Sequence, residues 1–119
     1  MVRLAKPPKA FQNFVHTFPV LGKAWETMNA ASREGPLDER TQRLLKLAIS
    51  MGAMREGAVH SGTRKAVAAG VTVEELQQMV ALCASTLGMP ATVAIHTWVL
   101  DEVGEAKKGG KASRRGKKS

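Results

Sequence analysis

The chain has 119 residues, 44% of them hydrophobic, and a formal net charge of +8 at pH 7, which bounds it to one domain with a modest core, near the size at which oligomers add buried surface. The charge is not a property of the body: residues 107–119 hold Lys107, Lys108, Lys111, Arg114, Arg115, Lys117 and Lys118 with no acid, and removing those seven leaves 11 bases against 10 acids. A lone Cys83 excludes an intramolecular disulfide and any Cys-x-x-Cys pair. No run approaches the roughly 20 apolar residues of a membrane span and no secretory signal is visible, so a cytoplasmic location is the default expectation.

Helices are expected throughout. Pro7 and Pro8 mark the start of a short helix over Ala10–Thr17, broken at Pro19, with a second over Val20–Ser32. The turn REGPL, Arg33–Leu37, follows, and Asp38 reads as the N-cap of a helix to about Gly52 with Leu44, Leu47, Ala48 and Met51 on its core face. A fourth helix over about Arg55–Ala69 stops at Gly70, a natural left-handed position. Thr72-Val-Glu-Glu75 is a capping box, and Leu76, Val80, Cys83 and Leu87 behind it form a core stripe. Gly88 ends that helix, and Pro90 sits in the first turn of a sixth, which carries Ile95, Trp98, Val99 and Glu102. Nothing alternates with period two, so the fold class is all-α, a compact bundle of about six helices.

The fourth helix carries the most information. Ala58, Gly62, Ala66 and Gly70 recur at four-residue spacing and share one face, which either admits a neighbouring helix closely or leaves a shallow apolar recess. Gly62 calls for a reason, because glycine inside a helix costs about 0.8–1 kcal/mol against alanine.

His60 lies on the same helix and His96 on the sixth. Facing each other beside Glu56 they would make a metal or proton-transfer site; each also has a plain reading as a hydrogen-bonded structural residue. No metal site and no cofactor is assigned from spacing. Met51, Met54, Met79 and Met89 read as gap fillers, and Trp98 as a core anchor or an oligomer contact.

The basic segment 107–119 has no apolar residue larger than alanine and no aromatic residue. It is expected to be disordered in isolation. It serves as a solubilising extension, as a salt-sensitive nucleic-acid contact, or as a membrane-surface contact. The organisation is then an N-terminal helical segment over 1–35, a helical core over 36–106 and a basic tail over 107–119.

The ordered pieces Leu37–Ala48 (LDERTQRLLKLA), Arg55–His60 (REGAVH), Arg64-Lys-Ala66, Ala69-Gly70, Thr72–Leu76 and Leu87-Gly-Met-Pro-Ala91 together resemble the carboxymuconolactone decarboxylase family, which includes the alkylhydroperoxidase AhpD-like proteins, over about residues 36–104. The resemblance implies a compact helical unit assembled into homotrimers or hexamers, with sites lined by residues 55–70. In the peroxidase branch a Cys-x-x-Cys-x-x-x-His motif precedes a glycine by eight residues; aligned on Gly70, its positions fall at Arg55, Ala58 and Gly62. A thiol peroxidase needs a thiolate, a resolving thiol and a base, so thiol peroxidase activity is not expected.

The decarboxylase branch fits at Arg55 and Glu56. Decarboxylating an unsaturated lactone acid needs a cation to orient the carboxylate and an acid to protonate carbon. Arg55 is assigned to the first role and Glu56 with His60 to the second, around a recess bounded by Ala58, Gly62 and His96. His60 is two residues, about 200° of helix, from Gly62, where the family histidine falls. The function expected is therefore that of a small-molecule enzyme or binder of this type acting on a carboxylated or lactone-type molecule. The alternative is a non-catalytic homo-oligomeric module whose tails over 107–119 contact nucleic acid.

Overall fold

The computed structural model describes residues 9–111, with side chains from Lys9 to Gly104. Pro7 and Pro8, and the basic tail beyond Lys111, lie outside the described residues. Six helices follow in order: α1 Lys9–Thr17, α2 Pro19–Ser32, α3 Glu39–Gly52, α4 Glu56–Ala68, α5 Val73–Leu87 and α6 Met89–Lys111, with no strand among the described residues. The all-α expectation is met. None of these helices is long and apolar enough to cross a membrane.

The helix ends follow from local chemistry. Asp38 accepts the Thr41 amide at 2.8 Å and starts α3. At α5 both arms of the capping box are made: Thr72 Oγ1 accepts the Glu75 amide at 3.1 Å and Glu75 Oε1 accepts the Thr72 amide at 2.9 Å.

Two helices close with the same pattern. After α4, the Gly70 amide reaches Val67 O and the Val71 amide reaches Ala66 O, both at 3.0 Å, with Gly70 at φ +96°. After α3, the Met54 amide reaches Met51 O at 3.0 Å and the Arg55 amide reaches Ser50 O at 3.1 Å, with Met54 at φ +55°. Both are Schellman motifs. The first uses the residue that enters the left-handed region freely; the second holds a methionine there, against a penalty of about 1–2 kcal/mol.

Helices α3 to α6 share one core. Leu47 and Met51 from α3, Val59 and Ala66 from α4, Leu76 and Val80 from α5, and Ile95, Val99 and Val103 from α6 are buried, with Val71 from the turn between α4 and α5. Each full burial of a Leu, Ile, Val or Met side chain stabilises by about 1.5–3 kcal/mol. Thr63, fully buried, satisfies its hydroxyl on Val59 O at 2.7 Å. Leu44, Cys83, Leu87 and Trp98 pack against this core half-buried. Ala48, expected on the core face, is exposed; α3 packs along Leu44, Leu47 and Met51, and Ala48 lies about 100° past Leu47.

The stripe on α4 is split by its neighbours. A Cβ at Gly62 would lie 3.1 Å from Leu47 Cδ1 and 3.6 Å from Leu47 Cα, so here the small residue admits α3. Ala66 is fully buried, while Ala58 and Gly70 are exposed. Burial, with the charges of Arg43, Lys46 and Arg64, pushes the Lys65 ammonium below the ordinary lysine value.

Helices α1 and α2 pack chiefly on each other. Gly22 lies under Val15, and the Phe11 and Trp25 rings meet edge to face with centroids 6.1 Å apart. Neither helix has a buried residue, and Phe14, Phe18, Leu21 and Trp25 are exposed.

Candidate functional site

Glu56 and His60 lie one turn apart near the start of α4, where Arg55 is the N-cap. Their spacing places them on one face, and His60 Nε2 lies 3.4 Å from Glu56 Oε2. That face meets α6. There His60 Nδ1 lies 2.6 Å from Glu102 Oε2, and the other oxygen of the same carboxylate forms an ion pair with Arg64 Nη1 at 3.1 Å. Asp101 Oδ2 stands 3.9 Å from His60 Nε2. The result is a chain from Arg64 through Glu102 to His60, with Glu56 and Asp101 flanking the far ring nitrogen.

Burial sorts these groups. The His60 and Glu102 side chains are 20% and 19% exposed, while Glu56 and Asp101 are 60% and 66% exposed. The sheltered pair thus orients the ring, and the ring's Nε2 edge is turned to the wetter side. An ionised carboxylate only accepts, so Nδ1 carries the hydrogen of the 2.6 Å bond. In the neutral ring this leaves the lone pair on Nε2, the nitrogen beside Glu56 and Asp101. Arg64 forms an ion pair with the second Glu102 oxygen and so favours the ionised carboxylate.

The sequence-derived site residues are distributed unevenly around this centre. The structure brings Glu56 and His60 together, 3.4 Å apart. Arg55 and Ala58 are exposed at the same end of α4. Gly62 sits under Leu47. His96 is exposed on α6, and the partner of His60 on that helix is Glu102. Among the described residues no group of three or more His, Cys, Asp or Glu is arranged to hold a metal ion.

Sequence reasoning gave no site role to Arg64, Asp101 or Glu102. A signal for Glu102 was present: it falls three residues after Val99 and seven after Ile95, so an acid stands on the buried stripe of α6. Arg64, four residues after His60, shares its helix face.

Cys83 is half-buried on α5, with Sγ 3.9 Å from Met51 Sδ and 3.5 Å from Met79 O, and burial pushes its thiol above the ordinary value. A nucleophilic cysteine shows the opposite environment.

No curated protein and no solved structure matches the chain. A family model does: that of the carboxymuconolactone decarboxylase family covers residues 19–101. The match begins earlier than the motifs suggested, at residue 19 rather than 36, and so takes in α2 as well as the four helices of the core. With most of its length matched, from the second helix to the His60–Glu102 contact's edge at Asp101, this all-helical chain belongs to the carboxymuconolactone decarboxylase family.

Proposed function

We propose that the protein acts on a small carboxylated or lactone-type molecule by acid–base chemistry at His60, without thiol peroxidase chemistry. The observation that carries this reading is the 2.6 Å bond between His60 Nδ1 and a Glu102 carboxylate whose other oxygen is held by Arg64. A histidine oriented through one nitrogen by an ionised carboxylate presents the other nitrogen, in a defined tautomer, for proton transfer.

In a decarboxylation, the bond between the substrate carbon and its carboxylate breaks and carbon dioxide leaves. The electron pair stays in the conjugated system, and carbon is then protonated. Arg55, exposed beside the first turn of α4, supplies the cation that orients a carboxylate; protonated His60 Nε2 delivers the proton, and Glu56 at 3.4 Å holds that proton in line. Glu102 and Arg64 act as positioning residues. Assembly into a homotrimer or hexamer belongs to the same reading. It is supported by the exposed apolar side chains of the α1–α2 hairpin, Phe14, Phe18, Leu21 and Trp25.

The test is a thermal-shift screen of the full chain against carboxylated lactones, small aromatic acids and quinones. A ligand present at 100 times its dissociation constant adds about 2.7 kcal/mol to the state it binds. With a hit, turnover is followed by carbon dioxide release. His60→Gln is expected to lower kcat by about 10²–10⁴, and Glu102→Gln to shift the pH profile of kcat. Unchanged turnover in both His60→Gln and Glu56→Gln would remove the assignment.

A further inference from the structure

Positive charge on the folded body is concentrated on two helices. From Glu39 to Ala68 there are six bases, Arg40, Arg43, Lys46, Arg55, Arg64 and Lys65, against two acids, Glu39 and Glu56. Helix α5 has Glu74 and Glu75, and α6 as far as Gly104 has Asp101 and Glu102, with no Lys or Arg on either.

Carboxylates answer only part of this charge. Arg40 pairs with Glu75, and Arg64 with Glu102. Arg43 reaches Glu39 only at 3.8 Å, and that Glu39 side chain is 74% exposed, a contact worth little in water. Lys46 and Lys65 make no ion pair with a carboxylate among the described residues.

The packing brings the unanswered cations together. Arg43 and Lys46 lie one turn apart on α3, and Leu47, next to Lys46, is the side chain that fits under Gly62. Lys65 follows Gly62 by three residues and therefore shares its side of α4. The close approach that the missing Cβ of Gly62 allows is thus what sets Lys65 opposite Arg43 and Lys46. Lys65 is half-buried, and burial first, then the charges of Arg43 and Lys46, lower its ammonium below the ordinary lysine value.

We propose that Arg43, Lys46 and Lys65 form a binding site for a multiply charged phosphate. A single carboxylate neutralises one of three clustered cations. A phosphate or pyrophosphate carries two or more negative charges and enough acceptor oxygens to meet the planar fork of an arginine and two lysine ammoniums at once. The site lies between α3 and α4, whereas His60 faces α6, so the two stand or fall separately. The phosphate comes either as a free small molecule or as the backbone of a nucleic acid, and the same three cations serve both.

The test uses the full chain, labelled with ¹⁵N, titrated with pyrophosphate and separately with a short DNA duplex at physiological salt. Binding is expected to shift amides of α3 and α4 around Arg43, Lys46 and Lys65. Lys46→Gln together with Lys65→Gln is expected to weaken it at least tenfold, and Lys65→Arg to preserve it. Substituting Arg114 and Arg115 by Gln leaves the α3–α4 shifts in place. Saturable shifts with pyrophosphate identify a small phosphate as the ligand; shifts with DNA alone, lost in the double variant, identify the backbone. If neither ligand moves α3–α4 amides, or if Lys46→Gln, at an exposed position that leaves the fold intact, and the double variant both bind as the parent does, the proposal is wrong.

Discussion

Replacing Gly62 by alanine tests whether α4 is packed or open where the small-residue stripe runs. Two effects oppose each other. Alanine lowers the conformational cost of the helix by about 0.8–1 kcal/mol. Against this, the new Cβ would stand 3.1 Å from Leu47 Cδ1, with Leu47 Cα and Cβ at 3.6 and 3.7 Å. Leu47 must give by a few tenths of an ångström, and it is fully buried, with the backbone of α3 directly behind it. Adding a methyl group to a packed core costs about 1–3 kcal/mol. The balance is a net loss of about 1 kcal/mol, or about 4 °C in Tm for a domain of this size. Gly104→Ala is the internal reference. It lies within α6 with nothing within 4 Å of its added Cβ, so the same substitution there stabilises by about 0.5–1 kcal/mol. The assay is thermal unfolding of both variants and the parent by circular dichroism. If Gly62→Ala raises Tm as much as Gly104→Ala, Leu47 is not seated against Gly62 and the recess reading of this face is the right one.

Further outcomes follow from single contacts. Leu47→Ala empties the same contact from the other side and is expected to cost about 2–5 kcal/mol, read from chemical denaturation. Thr72→Ala removes the hydroxyl that accepts the Glu75 amide and is expected to cost about 1 kcal/mol, seen as a fall in Tm of about 4 °C. The Arg40 hydrogen bond, then the Thr72 amide, hold the Glu75 carboxyl down at about 2 from an ordinary 4.5. A carboxyl lowered by folding contributes stability that is complete above its unfolded value and is lost as pH falls through its folded one. Acid titration should therefore weaken the α3–α5 tie between about pH 4.5 and 2, and Arg40→Gln should move the Glu75 titration, followed by NMR, back toward 4.5. Cys83, half-buried with its thiol pushed up, is expected to react with iodoacetamide more slowly than a free cysteine at pH 7, and faster only when the chain is unfolded.

What was legible in the sequence is local. Asp38, Gly70, the Thr72–Glu75 box and Gly88 each mark a helix end through an interaction spanning at most a few residues, and each stands within a residue of where the structure puts it. Glu56 beside His60 is equally local, since four residues of helix bring them together. What was not legible depends on how helices dock. Glu102 meets His60 across 42 residues of chain, and Arg40 meets Glu75 across 35. In both cases the sequence shows a charged residue on a helix but not which helix faces it. Glu75 was read as a cap and is also an ion-pair partner. The stripe on α4 could not be resolved between packing and recess until the position of Leu47 was known; it packs at Gly62 and Ala66 and is open at Ala58.

The turn between α3 and α4 leaves the beginning of α4 little freedom. Arg55 gives its amide to Ser50 O, completing the motif that ends α3, and its carbonyl accepts the Val59 amide at 2.9 Å, opening α4. One residue is thus the last member of one motif and the first of the next, with no slack between them. The elbow is hydrogen-bonded from one helix to the next, with Met54 held at φ +55° inside it. A molecule docking against Arg55 and Glu56 therefore meets a surface whose backbone is already ordered, and only side chains need settle around it. Recognition there would draw its selectivity from the shape of an ordered corner rather than from a loop folding over the guest.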